Sequence, residues 1–185
     1  MPSEESERLL GLIEERRKAL LLDTSDDCLV VSVVQQTLDH FRSGKHLRTY
    51  KVSTARAGVG CVADSLCTPT GLHRILERIG AGASHGMVFK ARVPTGTLSK
   101  DWSTPDDNLI TTRILRLDGL EAGHNKGKNA QGQSVDTHSR FVYIHGTNQA
   151  AKLGQPNSHG CILLSDDDVT ELFDAVPSGA LVYIA

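Results

Sequence analysis

The chain has 185 residues, of which 39% are hydrophobic and 23% charged, and its formal net charge is -2. This length supports one well-buried core and is too short to suggest two full-sized domains. The balanced charge and the aromatic content of only 4% leave neither a basic surface nor many stacking platforms. We therefore expect no nucleic-acid partner.

The first 27 residues predict a helical extension ahead of the main domain. Over residues 4–22, Leu9, Leu12, Ile13 and Leu20 fall on one side of a helix. We expect this helix to pack outside the β-rich part, with a solvated arm as the alternative. Because the opening is acidic and its apolar runs are short, it does not fit a secretory signal, and no membrane span is present. The sequence predicts a cytoplasmic protein without a membrane partner.

From Cys28 onward the pattern changes to strands separated by turns, followed by one further helix. The helix is predicted from Ser165 to Val176, with Ser165 as its cap and Asp168 in its first turn. A polar, glycine-rich loop covers 118–139, and we treat it as a hypothetical lid. Predicted strands are 28–34, a stretch through Leu38 and Phe41, 46–53 after a turn at 43–45, 87–92, 110–117, 141–144 and 181–184.

Residues 70–80 give conflicting signals. Leu72, Ile75, Leu76 and Ile79 follow a helical stripe, although glycines bound the segment at both ends. Periodicity alone favours a helix here.

The four cysteines show no framework spacing. In a reducing compartment, three of them are expected to be small buried hydrophobic residues with free thiols. A disulfide between Cys61 and Cys67 is disfavoured. The exception is Cys161, because of its neighbours. The four are Cys28, Cys61, Cys67 and Cys161.

The stretch from Ile144 to Leu164 carries the chemistry. It contains His145-Gly146-Thr147-Asn148 and, after a polar connection, Ser158-His159-Gly160-Cys161. A cysteine that attacks a carbonyl needs a nearby imidazole to take its proton, or a pre-existing ion pair. Amide groups around Gly160 and Cys161 are placed to stabilise the developing oxyanion.

A zinc site is the alternative use of the same side chains. His145, His159 and Cys161 are all competent ligands, but the paired Cys-x₂-Cys spacing typical of structural zinc sites is absent. We therefore expect no metal and no other cofactor.

These residues resemble the L,D-transpeptidase catalytic domain, the YkuD family. Its signature is a His-Gly-Thr element followed by Ser-His-Gly-Cys, as at 145–147 and 158–161. Residues 49–55 resemble the family's strand end, 67–71 its Thr-Pro-x-Gly element, and 176–184 its final turn and strand. The resemblance covers about residues 28–185, which we take as the catalytic domain.

The resemblance implies a fold and a set of roles. The fold is mainly β, an α+β sandwich with an N-terminal helix and a short C-terminal helix, and it implies a strand at 71–78 rather than a helix. Cys161 would be the nucleophile, His145 its base, and the Gly146 carbonyl the group that orients the imidazole. The amides of His159, Gly160 and Cys161 would form the oxyanion hole, and the side chains of Ser158, Thr147 and Asn148 would shape the substrate pocket.

One position departs from the family pattern. Members commonly carry Arg or Asn two residues after the cysteine, where this chain has Leu163. A catalytically silent muropeptide-binding module is therefore a second hypothesis. An unusually acidic Cys161 thiol, alkylated faster than the other cysteines, is expected of an enzyme but not of such a module.

The implied substrate is a peptidoglycan stem peptide cleaved between diaminopimelate and a terminal D-Ala, through a thioester. With water as acceptor the protein is an L,D-carboxypeptidase of muropeptide recycling, which the expected cytoplasmic location favours. With an amine as acceptor it is an L,D-transpeptidase. Arg56 and Arg140 are the candidate side chains for binding the anionic peptide. Carbapenem β-lactams, which acylate many family members, are candidate inhibitors.

Overall fold

The computed structural model describes residues 3–104 and 106–185. Within them lie two α-helices, ten β-strands and two short 3₁₀ turns at Ser99–Asp101 and Ala150–Lys152. The helices are α1 Glu4–Ala19 and α2 Asp166–Ala175. The strands are β1 Asp27–Ser32, β2 Thr37–Arg42, β3 Lys45–Lys51, β4 Gly71–Ile79, β5 Met87–Lys90, β6 Val93–Leu98, β7 Ile110–Gly119, β8 Tyr143–Gly146, β9 Ile162–Leu164 and β10 Leu181–Ile184.

The ten strands form one branched, mixed sheet. Its main path runs β3-β2-β1-β10-β4-β7-β5-β6, and β8 and β9 branch from β7. The β1–β10 and β8–β9 pairs are parallel. Side chains from the main path, the branch and α2 meet in one buried cluster, so the sheet encloses its core from two sides. The expected mainly β fold with two helices is confirmed.

Strand β1 is buried on both faces, which explains its continuous apolar run. Leu29 and Val31 point into the main core. Cys28 and Val30 point to the other face and join a second cluster, which contains Leu9 of α1.

Helix α1 covers this second cluster and is not a solvated arm. Leu9 and Ile13 are buried against the sheet. The buried hydroxyl of Ser6 donates to Asp39 on β2 at 2.6 Å, which ties the helix to the sheet. The helix ends at Ala19, three residues before the predicted end, and Leu21 beyond it is 92% exposed.

Segment 71–79 is a strand, so the prediction from periodicity is wrong and the one from the resemblance is correct. Leu72 faces the second cluster and Ile75 the main core. A register shift lies between Ile75 and Glu77. Because the strand is buried on both faces and bulged, its apolar residues recur at helix-like intervals.

Several predicted strand boundaries are corrected by the structure. Val34 is 85% exposed in a turn after β1, and β8 begins at Tyr143 rather than at Phe141. The short strands β6 and β9 were not predicted. Helix α2 and β10 agree with prediction, and Ser165 caps α2 by accepting the amide of Asp168 at 3.1 Å.

The long connection from β7 to β8 is packed against β4. The buried Asn125 side chain donates to the carbonyls of Thr70 and Leu72, both at 3.0 Å. The role of this connection as a lid stays a prediction. All four cysteines are free thiols. In the described ranges, no helix has the length and apolarity needed to cross a membrane.

Candidate active site

The parallel pair β8–β9 brings the predicted nucleophile and base to one face of the sheet. Ile144 pairs with Ile162 and His145 with Leu163. Because successive strand residues alternate between faces, Ile144 and Ile162 enter the core, while His145 and Leu163 face the other way. Cys161 immediately precedes β9 and shares the face of Leu163. The Cys161 side chain is therefore a diagonal neighbour of the His145 side chain across the β8–β9 pair.

His145 is held as a neutral base. Its ring is buried, and Nδ1 lies 2.7 Å from the carbonyl oxygen of Gly146. Since a carbonyl only accepts, Nδ1 carries the proton and Nε2 keeps its lone pair. Burial lowers the pKa of His145 to about 4, against the smaller opposing effects of the Gly146 carbonyl and the Asp166 carboxylate.

Position 146 has room only for glycine. A Cβ there would lie 2.6 Å from both Asp166 Oδ1 and the Thr111 carbonyl oxygen. That carboxylate accepts hydrogen bonds from the hydroxyls of Thr111 at 2.5 Å and Thr112 at 2.6 Å. Asp166 thus lies directly behind the peptide unit that orients His145, a placement that the sequence did not reveal.

Cys161 is a protonated thiol in the free protein. Its Sγ accepts the Tyr143 amide at 3.4 Å and donates to the Phe141 carbonyl at 3.8 Å. Burial raises the pKa of Cys161 to about 11, although the Tyr143 amide and the Arg140 charge oppose the rise. This raised pKa does not match the unusually acidic thiol that was expected of an enzyme. With both partners neutral, the site suits proton transfer to His145 during attack rather than a pre-formed ion pair.

The loop before Cys161 is arranged around Gly160. Its φ of +132° favours glycine, and a Cβ would lie 3.3 Å from the Cys67 carbonyl oxygen. The Gly160 amide donates to Ser158 Oγ at 3.1 Å, and that hydroxyl donates to the Cys161 carbonyl at 2.6 Å. The Gly160 amide is thus already occupied. The amides of His159 and Cys161 donate to no acceptor in the described ranges, and they remain the predicted oxyanion donors.

Thr147 and Asn148 brace the neighbouring loops. The Thr147 amide donates to the Leu164 carbonyl at 3.0 Å, and its hydroxyl accepts the Gln149 amide at 3.1 Å. Asn148 Oδ1 accepts the Leu109 amide at 3.0 Å. Their contact with substrate stays a prediction.

The two predicted substrate arginines differ in setting. Arg56 is exposed and donates to Asn157 Oδ1 at 2.6 Å. Arg140 is half-buried and lines a cleft of about 180 Å³ together with His159. Burial lowers the pKa of its guanidinium. Its acceptors all lie in the 60–67 loop: the carbonyls of Gly60, Cys61 and Cys67 and the hydroxyl of Ser65.

The sequence profile of the L,D-transpeptidase catalytic domain, YkuD, matches residues 26–184. The chain belongs to this family. The probable L,D-transpeptidase ErfK/SrfK of Salmonella typhimurium is 29% identical over 168 residues, which are 91% of this chain and 47% of that protein. The probable L,D-transpeptidase YcfS of Escherichia coli is 25% identical over 167 residues, 90% of this chain and 46% of that protein.

The chain thus spans about half the length of these curated relatives. Solved structures of the family share its fold. L,D-transpeptidase 3 from Mycobacterium tuberculosis, in complex with a faropenem-derived adduct, has a TM-score of 0.53 at 19% identity, covering 86% of this chain and 60% of that one. The L,D-transpeptidase LdtMt1 in complex with imipenem has a TM-score of 0.51 at 20% identity, covering 86% and 59%.

Segments that carry the YkuD motifs meet at the loop before Cys161. Their hydrogen bonds hold this loop, although Leu163 has no side-chain hydrogen bond to offer. Leu163 is buried, and its amide and carbonyl bond to Ser53 at 2.9 and 3.0 Å. The Thr68 hydroxyl donates to the Gly160 carbonyl at 3.0 Å and accepts the Ala55 amide at 2.9 Å. Backbone pairing and a threonine therefore hold the loop without the family's usual Arg or Asn.

Two further features bear on the site. Sequence reasoning missed Phe141 and Tyr143 as neighbours of the thiol, because their contacts with it come from backbone atoms.

Within the part of the chain that the structure describes, no group of three or more His, Cys, Asp and Glu side chains is arranged to hold a metal ion. The zinc alternative therefore has no candidate set of ligands there.

Proposed function

We propose that this chain cleaves an amide bond in a peptidoglycan stem peptide, with Cys161 as nucleophile and His145 as general base. The observation that carries the proposal is the neutral imidazole with Nδ1 bound to the Gly146 carbonyl. Its Nε2 has no hydrogen-bond partner in the described ranges and lies on the face of the thiol. Membership of the YkuD family supports the substrate class.

The steps follow from these positions. Cys161 Sγ attacks the scissile carbonyl carbon while its proton passes to His145 Nε2, and the imidazolium is stabilised by the Gly146 carbonyl and the Asp166 charge. The carbonyl oxygen becomes an oxyanion that accepts the amides of His159 and Cys161. When the oxyanion collapses, the C–N bond breaks, the leaving amine takes the proton from His145, and a thioester remains.

The donor bond proposed is the one that joins the L-centre of diaminopimelate to a terminal D-Ala. This choice rests on the family resemblance. Arg56 and Arg140 are proposed to attract the anionic peptide, and the Coulomb effect of Arg140 on Cys161 supports a position near the reacting atoms.

Water is the proposed acceptor, which makes the protein an L,D-carboxypeptidase. This choice rests on the cytoplasmic location expected from the sequence, where soluble muropeptides are available and water is the abundant acceptor. Trimming soluble muropeptides fits a cytoplasmic recycling role, a location that cell fractionation of the natively expressed protein would test.

Mass spectrometry of a diaminopimelate-containing tetrapeptide incubated with the protein tests the reaction. One arm contains only buffer, a second adds a D-amino acid or another stem peptide, and a Cys161→Ala protein is the control. We expect tripeptide and free D-Ala in both arms, and no product with the control. Exchanged or cross-linked product would replace water with an amine as the physiological acceptor.

Incubation with a carbapenem separates an enzyme from a silent binding module. Opening of the β-lactam ring by Cys161 adds the full mass of the inhibitor, and Cys161→Ala should gain nothing. A protein that binds muropeptides but neither cleaves them nor forms this adduct would be a binding module. Slow alkylation alone would not show this, because the free thiol is protonated.

A further inference from the structure

Three residues in left-handed backbone conformations lie in two segments that contact each other, and one of these segments bonds to Cys161. Ala91 and Arg92 have φ of 46° and 69° in the two-residue turn between β5 and β6. Such turns strongly prefer Asn-Gly, because both central residues need positive φ. Phe141, with φ of 54°, is the third. Strain retained at several non-glycine positions in one place is typical of functional sites.

The strained turn places the Arg92 guanidinium against the side chains of Phe141 and Tyr143, whose backbone atoms bond to the thiol. Arg92 donates to the Tyr143 hydroxyl at 3.1 Å and lies 5.1 Å from the centre of the Phe141 ring. Phe141 accepts from Cys161 Sγ through its carbonyl, and Tyr143 donates to it through its amide. Phe141 and Tyr143 therefore connect Arg92 to the segment that holds the reacting sulfur.

The Phe141 ring is 51% exposed and lies between two cations. Arg116 lies 5.2 Å from the ring centre and pairs with Glu77 at 3.2 Å. Arg92 is half-buried and takes part in no ion pair within residues 3–104 and 106–185. Two guanidiniums against one carboxylate leave this corner with one uncompensated positive charge.

We infer that Arg92, steadied by Phe141 and Tyr143, forms a carboxylate-binding subsite for the acyl donor. A guanidinium with one donor on Tyr143 retains further N–H groups for a bidentate carboxylate. This subsite lies on the Phe141 side of Cys161, whereas Arg140 directs its N–H groups to the 60–67 loop. The identity of the acyl donor rests on the proposed function. The preference of Cys161 for anionic over neutral reagents does not.

Two carboxylates of the proposed donor share this chemistry. One is the C-terminal carboxylate of the departing D-residue, and the other is the free carboxylate on the diaminopimelate side chain. Donors amidated at one or the other position distinguish the two sources.

The first test needs no peptidoglycan substrate. Alkylation of Cys161 by anionic iodoacetate and by neutral iodoacetamide is followed by peptide mass spectrometry at one alkaline pH, and the ratio of the two rates is compared among variants. Attraction by one nearby unit charge in water concentrates an anion by about threefold. Arg92→Gln should lower the ratio by about this factor, and Arg92→Lys should restore most of it.

The matched control is Arg8→Gln, which removes the same charge from an exposed position on α1 and should leave the ratio unchanged. An Arg92→Gln ratio equal to that of Arg8→Gln would overturn the subsite. An equal loss of rate with both reagents would also overturn it, since Arg92 would then only hold the thiol in place.

The second test uses peptide donors. Arg92→Gln should lower kcat/KM about tenfold for the natural tetrapeptide, as expected for a lost charge-assisted hydrogen bond. It should have little effect on the donor whose relevant carboxylate is amidated. If both amidated donors remain as sensitive as the natural one, the subsite does not bind the donor carboxylates. If no peptide is cleaved by the wild type, the proposed function fails while the alkylation ratio still decides the role of Arg92.

Discussion

His73 and His145 are two buried histidines with closely similar surroundings. Burial lowers the pKa of each to about 4. In each, Nδ1 meets the carbonyl oxygen of a glycine, Gly71 at 3.0 Å for His73 and Gly146 at 2.7 Å for His145. Both rings are therefore neutral at physiological pH, with the proton fixed on Nδ1.

The main difference between the two histidines is what Nε2 can reach. In His73, Nε2 accepts the Thr137 hydroxyl at 3.1 Å, so both ring nitrogens serve the packing of the β7–β8 connection against β4. In His145, Nε2 has no partner in the described part of the chain, and Cys161 lies on the same face. A lowered pKa and a fixed tautomer thus do not identify a catalytic base. An unused acceptor on the same face as a cysteine is the observation that supports this role for His145.

The largest expected effect comes from replacing each histidine by Gln. His145→Gln should reduce formation of tripeptide by about 10⁴-fold, the upper range for loss of a general base. His73→Gln should leave the rate within about threefold of wild type, because a structural hydrogen bond is all that it loses. Product formation by mass spectrometry measures both.

Raising the pH sharpens this test. Without its base, the thiol must ionise by itself, so the residual rate of His145→Gln should climb as the pH approaches the Cys161 pKa of about 11. A His73→Gln rate that falls as far as that of His145→Gln would contradict the distinction between the two residues.

Acid should destabilise the fold through both histidines. Because the folded pKa of each is lowered from 6.5 to about 4, the unfolded chain binds more protons between these values. Their contribution to stability is complete above pH 6.5 and is lost as the pH falls toward about 4. Each shift corresponds to about 3 kcal/mol at the acid end. Urea unfolding across this range measures the free energy of unfolding.

The histidine variants separate this contribution from that of the carboxylates. His73→Gln and His145→Gln should each show a smaller acid-induced loss than wild type, by up to about 3 kcal/mol. An unchanged loss in either variant would mean that its ring is protonated in the folded protein.

The sequence allowed the nucleophile and base to be proposed because their motifs are local. His145 ends one apolar strand, and Cys161 follows Gly160, so short segments carry the pattern. The same locality identified Ser165 as a helix cap. Strand β4 was recognised only through the resemblance, since burial on two faces and a bulge give it a helix-like period.

Other features depend on contacts between distant segments and could not be predicted. The apposition of Asp166 with Thr111 and Thr112 joins α2 to β7, more than 50 residues away in the chain. The raised pKa of Cys161 results from burial by the assembled fold. Arg92 contacts Phe141 and Tyr143 only because a strained turn places it there.

Asp166→Asn gives the smallest effect and tests the role of the carboxylate behind Gly146. An Asn Oδ1 can still accept the hydroxyls of Thr111 and Thr112, so the main loss is the charge. Since Asp166 raises the pKa of His145, the acid limb of the kcat/KM profile should move to lower pH. The rate at neutral pH should fall by about threefold, because the imidazolium formed during attack loses a favourable charge.

Asp167→Asn is the matched control for this change. It removes the same charge from the same helical turn, but its carboxylate is 92% exposed and meets only His85. An acid limb that moves equally in both variants would assign the effect to the general field of the helix terminus. A shift confined to Asp166→Asn would show that this half-buried carboxylate acts directly on His145, the proposed base.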